Sequence, residues 1–179
     1  MILSDTSIMQ EIEKGNIIVN PFNEDNLNPC SIDLTLAPEY KIYDNDILDV
    51  REEQPTWAFT VGEEGIILYP GKVYLFRCNE TIGCKGNIRG KVEGKSSLGR
   101  LGLFVHVTAG FIDCGFVGSL VLEFVPIQTI RVYPNMKVCQ IEFARVEGEI
   151  RETYDQKKGS KYHGQTGVQE SKYHLNFKK

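Results

Sequence analysis

EGKSSLGRLGLFVHVTAGFIDCGFVGSLVLEF, from Glu93 to Phe124, is the segment around which the chain is organised. It carries Ser96, Ser97, Arg100, Asp113 and Glu123 among strand-forming apolar runs and glycines. Val105, Val107 and Ala109 alternate with His106 and Thr108, which predicts a strand. Gly110, Gly115 and Gly118 mark tight turns or close backbone approaches. SLVLEF then returns as a second strand with Glu123 inside its apolar run. A carboxylate there, if buried, must be paired or have its pKa raised, which is what a proton-shuttling group needs.

Outward from this stretch, short apolar runs recur between turn signals such as YPGK and CKGN, with Pro70-Gly71 feeding the strand VYLF. Ile130 to Ile150 supplies two further strand-like runs joined by YPNM. Many short strands and almost no helix argue for a mainly β, closed or sandwiched antiparallel architecture. At the N-terminus, LSDTSIMQEIEKGNI predicts one short helix capped by Ser4 or Asp5 and stopped by Gly15, with a solvated outer face. IIVNPF predicts a brief strand, and the polar run to Asn28 a loop. In PCSIDLTL, Ile32, Leu34 and Leu36 face one way and Ser31, Asp33 and Thr35 the other. By itself Asp33 reads as an edge carboxylate hydrogen-bonded to a loop. Residues 40–57 read as a strand with an acidic, exposed excursion.

Composition narrows the function. The 179 residues suit one domain, and a formal charge of −4 without a basic stripe argues against a nucleic-acid polymer as ligand. With no apolar run approaching ~20 residues and no basic-then-apolar leader, no membrane association and a cytoplasmic location are expected. The five cysteines form no C-x-x-C pair, and Cys30, Cys78 and Cys139 are expected to be buried thiols. His106, His163 and His174 are too scattered to form a His/Cys zinc site with the cysteines, so no zinc is expected. The polar, glycine-bearing tail from Tyr154 reads as a mobile arm.

The central stretch resembles the dCTP deaminase family of the trimeric dUTPase-like superfamily. The family pattern is an Arg or Lys before SSL, an Arg four residues after the first Ser, a His-x-Thr-Ala strand and a Leu-Glu strand. Here these are Lys95, Ser96, Ser97, Leu98, Arg100, His106 to Gly110, Ile112, Asp113 and Glu123. The likeness continues in MILSD at the start, in PCSIDLTL and in SKYHGQTG at Ser160 to Gly167, so it spans nearly the whole chain. It implies the distorted jelly roll, or β-clip, with a short helix after Lys95. It also implies one domain over 1–179 whose segment 154–179 closes over the site.

The resemblance assigns roles residue by residue. Glu123 is the catalytic glutamate, which takes a proton from the water attacking cytosine C4, passes one to N3 and protonates departing ammonia. Arg100 and Ser96 hold that water and balance charge on the addition intermediate. Lys95, Ser96 and Ser97 contact the triphosphate; on residue type alone the two serines equally cap a helix. Asp113 is either a turn carboxylate capping local amides or, by resemblance, the partner of the deoxyribose 3'-hydroxyl and of a hydrolytic water. Phe116 lies under the sugar, and the backbone of Val107, Thr108, Ala109 and Gly110 reads the pyrimidine edge. Tyr154, Lys161, Tyr162 and Gln165 close over phosphates and base, and Asp33 is kept near the site. Nothing in the sequence gives His106 a base role.

Mg2+ bound through the triphosphate, a homotrimer with sites shared between subunits, and dTTP as feedback inhibitor are further implications. Two enzyme readings remain. A bifunctional enzyme converts dCTP to dUMP and diphosphate in one site, and a monofunctional one releases dUTP. The first is preferred because Gly110 leaves room for a phosphate-side water where monofunctional bacterial members carry a larger polar residue. A dUTPase without deaminase activity has no use for both Arg100 and Glu123 at the base. A nucleotide-sensing trimer would bind without turnover.

Overall fold

The structure, a computed structural model, describes residues 1–178 of the 179-residue chain. In chain order the elements are α1 (Asp5–Glu13), β1 (Ile17–Asn20), β2 (Leu27–Asn28), β3 (Ser31–Tyr43), β4 (Thr56–Thr60), β5 (Ile66–Leu68), β6 (Tyr74–Cys84) and β7 (Ile88–Gly94). There follow α2 (Ser96–Gly99), β8 (Leu103–Phe104), β9 (Phe111–Ile112), β10 (Val117–Pro126), β11 (Ile130–Val132) and β12 (Lys137–Arg145). One antiparallel sheet runs β8-β10-β6-β3-β12-β7-β9, with β1 on β6 and β2 and β4 on β3. β11 and β5 pair separately. The main sheet curls into the expected distorted jelly roll, because its period-2 apolar residues converge on one core. Tyr40, Phe76 and Phe124, from β3, β6 and β10, stack in series at centroid distances of 5.1 and 4.7 Å.

The expected N-terminal helix is present. Ser4 is its cap, accepting from the Ser7 N–H, and Gly15 follows at φ 72°. Its outer face is not wholly solvated, however. Glu11 is buried and accepts from Lys14, Asn16 and Arg145 at 2.9, 2.6 and 2.8 Å, which bolts α1 to the end of β12. Those bonds hold its carboxyl down at about 2.

The two-faced reading of PCSIDLTL also needs correction. β3 is buried on both faces over Ser31–Leu34, while β12 and β2 pair along its edges there and β6 pairs further on, from Leu36 to Ile42. Thr35, at an irregularity in the β12 register, turns its N–H and hydroxyl to the buried Glu80 of β6. Cys78, Cys84, Cys114 and Cys139 are buried free thiols, and burial pushes Cys84 up to about 12. Cys30 is exposed instead, because it stands in the two-residue turn between β2 and β3. Among the described residues no helix is long and apolar enough to cross a membrane.

Candidate active site

Glu123 is placed by the period of β10. Leu122 and Phe124 enter the core at 2% and 0% exposure, so Glu123 points to the opposite face and is half-buried there. Its partner across the sheet is Leu75 of β6, and the partner of Leu75 on the other side is Lys41 of β3. Lys41, Leu75 and Glu123 thus form one row across three strands. Oε2 of Glu123 accepts the N–H of Val107 at 3.1 Å. No hydrogen bond to Oε1 is found among the described residues.

The segment carrying Val107 is not the strand that alternation predicts. After the two-residue β8 the chain runs irregularly from Val105 to Gly110; Val107 is 57% exposed and Ala109 takes the left-handed φ of 52°. Tertiary contacts override the pattern. Glu123 binds this loop at Val107, and the Val92 N–H donates to Gly110 O at 2.8 Å on its other flank. Gly110 itself is required sterically, since a Cβ there would stand 2.6 Å from the carbonyl oxygen of Val92. The absence of a side chain at 110 therefore serves this backbone approach, and room for a water is not its only explanation.

Loop, sheet row and tail enclose a cavity of about 700 Å³. It is lined by Glu123, Asp113, Thr108, Ala109, Gly110, Phe116, Tyr154, Tyr162 and Gln165, and by His106. Asp113 is exposed, and no side-chain cap to its own turn is found among the described residues. Phe116 is buried with its ring edge-on to Tyr154 at 5.7 Å.

The tail lies folded over the cavity, with Tyr154, Tyr162 and Gln165 in its lining. The outer edge of β10 is covered by β8 only at Val125–Pro126. The arm takes up part of the rest: Gly164 N donates to Val117 O, Ser119 N to Gln165 O, and Gln165 Nε2 to Ser119 O, at 2.8, 3.0 and 2.6 Å. Gly118 permits this approach, because a Cβ there would lie 3.1–3.2 Å from the backbone of Gln165. Oε1 of Gln165 is buried without a partner.

Further along, Glu170 pairs with Lys41 at 2.6 Å and Ser171 N donates to the Tyr43 hydroxyl at 3.1 Å. Burial pushes the Tyr43 phenol up, and the carboxylates of Glu170 and Glu123 add to it. Burial opposes ionisation of Glu170 too, but the Lys41 hydrogen bond and nearby positive charge leave its carboxyl below the ordinary range. Tyr43, Lys41 and Glu170 escaped sequence reasoning, since only the folded tail brings them together.

The remaining candidates lie elsewhere. Lys95, Ser96, Ser97, Arg100 and Lys161 do not line this cavity. Lys95 is the cap residue of α2 without a side-chain capping bond, and Ser96 and Ser97 occupy its first turn, exposed. Arg100 is exposed, so the chain on its own does not unite Arg100 and Glu123. Asp33 is no edge group: it is buried and binds Lys95 Nζ at 2.6 Å. Among the described residues no Lys or Arg lines the cavity, and no cluster of three His, Cys, Asp or Glu is placed to hold a metal.

A family model for dCTP deaminase-like proteins matches residues 2–146. A relative from Clostridium beijerinckii named dCTP deaminase, dUMP-forming, is 44% identical over 179 residues, covering 100% of both chains. One from Cytophaga hutchinsonii with the same name is 40% identical over 100% of both. Among solved structures, 2'-deoxycytidine 5'-triphosphate deaminase from Agrobacterium tumefaciens superposes with a TM-score of 0.65 at 22% identity. It covers 84% of this chain and 50% of that one, which speaks for the shared fold. With that fold, that family match and full-length relatives at this identity, the chain belongs to the dCTP deaminase-like family.

Proposed function

We propose that this protein deaminates dCTP at cytosine C4 and hydrolyses the triphosphate in the same site, releasing dUMP, ammonia and diphosphate. The observation that carries the chemistry is Glu123: a carboxylate delivered from an apolar strand into the cavity, one oxygen anchored by the Val107 amide. The other oxygen is left to take a proton from water attacking C4, to pass a proton to N3, and to protonate the departing ammonia. The dUMP-forming outcome follows the names of relatives matched over the whole chain. Asp113, exposed at the cavity, is suited to the sugar 3'-hydroxyl and to a water on the phosphate side.

The working enzyme in this reading is a homotrimer. A cavity whose charged lining is Asp113, Glu123 and Glu170 repels a triphosphate of about four negative charges unless cations arrive from outside. Lys95, Ser96, Ser97 and Arg100 stand clear of this cavity and serve a neighbour's: Arg100 and Ser96 at the reacting base, Lys95 and Ser97 at the phosphates. Lys161 joins the phosphates when the arm closes. Mg2+ enters as part of the nucleotide substrate, without zinc. dTTP, a triphosphate of the same sugar, would inhibit by occupying this site.

The test is the product of dCTP with magnesium, resolved over time. Stoichiometric dUMP, diphosphate and ammonia with little free dUTP is expected. Stable dUTP in the presence of active enzyme overturns the second step and leaves the deaminase. The Asp113→Asn variant should slow diphosphate release more than ammonia release.

A further inference from the structure

We propose that Lys137 is a triphosphate-recognition residue, which with Lys95 flanks the buried carboxylate of Asp33 and gives that corner its net positive charge. The inference rests on the reading of Lys95 as a phosphate contact. Asp33 is 5% exposed and holds one ammonium on each oxygen: Lys95 Nζ on Oδ1 at 2.6 Å and Lys137 Nζ on Oδ2 at 3.3 Å.

Charge arithmetic gives Lys137 its role. Lys95 and Asp33 alone sum to zero, and a neutral ion pair is a poor attractor for a polyanion. Asp33 in turn holds Lys95, an otherwise flexible four-carbon side chain, next to Ser96 in the chain. The second lysine restores one net positive charge without loosening that anchor.

The fold delivers Lys137 there deliberately. It opens β12, where the register against β3 shifts between Lys137 and Cys139, and the side chain reaches back along β3 to Asp33. Its ammonium also donates to Asp25 O at 3.3 Å. An ammonium has three donors, so one remains for a ligand, and the side chain is 43% exposed against 25% for Lys95. The buried carboxylate thus works as a template that sets two cations side by side, facing solvent, on rigid strand and helix ends.

The experiment measures dCTP kinetics of Lys137→Met, Lys137→Arg and Lys95→Met in the full trimer, over a range of potassium chloride. Lys137→Met should raise KM roughly three- to tenfold with kcat held within about twofold, and flatten the salt dependence of kcat/KM. Lys137→Arg should restore both. Inorganic tripolyphosphate, used as a competitor, should inhibit the Met variant less strongly by a similar factor. If Lys95→Met raises KM while Lys137→Met changes neither KM nor the salt slope, the inference is overturned and the phosphate reading of Lys95 stands. If neither variant moves KM, the phosphate reading fails and takes the inference with it.

Discussion

Replacing Gly118 by valine should undock the arm while sparing the barrel. Gly118 lies on β10 opposite Ile82, with no left-handed φ, so a β-branched residue suits its backbone. The space is what forbids it: even a first carbon would stand 3.1–3.3 Å from Gln165, and the valine methyls go further. The arm must lift, and the three hydrogen bonds of Gly164 and Gln165 to β10 are lost. At about 0.5–1.5 kcal/mol net for each bond, closure weakens by about 1.5–4.5 kcal/mol. That corresponds to roughly a tenfold to thousandfold fall in the closed-to-open ratio. Trypsin with mass spectrometry reads this directly, because Lys157, Lys158 and Lys161 sit in the arm. The variant should be cut faster there, lose kcat/KM for dCTP, and keep the melting temperature of its core. Gly118→Ala, which asks for a shift of only a few tenths of an ångström, should fall between. Wild-type cleavage and wild-type kcat/KM in the valine variant would refute arm docking on β10 as a step in catalysis.

Other expectations are read more simply. Glu123→Gln keeps the size and a hydrogen bond to Val107 but cannot take the water proton, so ammonia release should be abolished while dCTP still binds; near-normal turnover would remove Glu123 from catalysis. If the proposed trimer shares its sites, mixing Glu123→Ala and Arg100→Ala chains should regain part of the activity that each variant alone lacks, and no regain would count against a site shared between subunits. Gly110→Ala drives a Cβ against the Val92 carbonyl. That should cost roughly 1–3 kcal/mol, or about 2–12 °C in Tm, whatever its effect on the product ratio. Glu11→Gln should lower Tm near neutral pH. The Glu11 carboxyl is depressed from 4.5 to about 2, so its stabilisation is complete above the unfolded value and fades as pH falls through the folded one. The Tm gap between variant and wild type should therefore close over that acid window, and a constant gap would contradict the assignment.

Local pattern alone yields most of the strands, the N-terminal helix with Ser4 or Asp5 as its cap, the turn at Pro70-Gly71 and the location of Glu123 in an apolar strand. These depend on local periodicity and turn chemistry, which neighbouring residues carry between them. The resemblance to the family is also legible, because it rests on separated motifs in order, a property of the chain and not of its folding. What the tertiary structure decided is where long-range contacts outbid the local pattern. The alternation from Val105 to Ala109 predicts a strand, but Glu123 takes the Val107 N–H and the Val92 N–H takes the flanking Gly110 carbonyl, and the backbone turns to meet them. The tail has the composition of a free arm, yet β10 has an uncovered edge and Gly118 has no side chain to keep it away. Asp33, Glu80 and Glu11 are each buried against a partner from 45 to 134 residues away, Glu11 also against its neighbours Lys14 and Asn16. No local window holds both members of the distant pairs. The separation of Lys95, Ser96 and Arg100 from the Glu123 cavity follows from no local pattern either; only the resemblance, with its sites shared between subunits, implies it, since a motif records that residues serve one reaction and not whether one chain can bring them together.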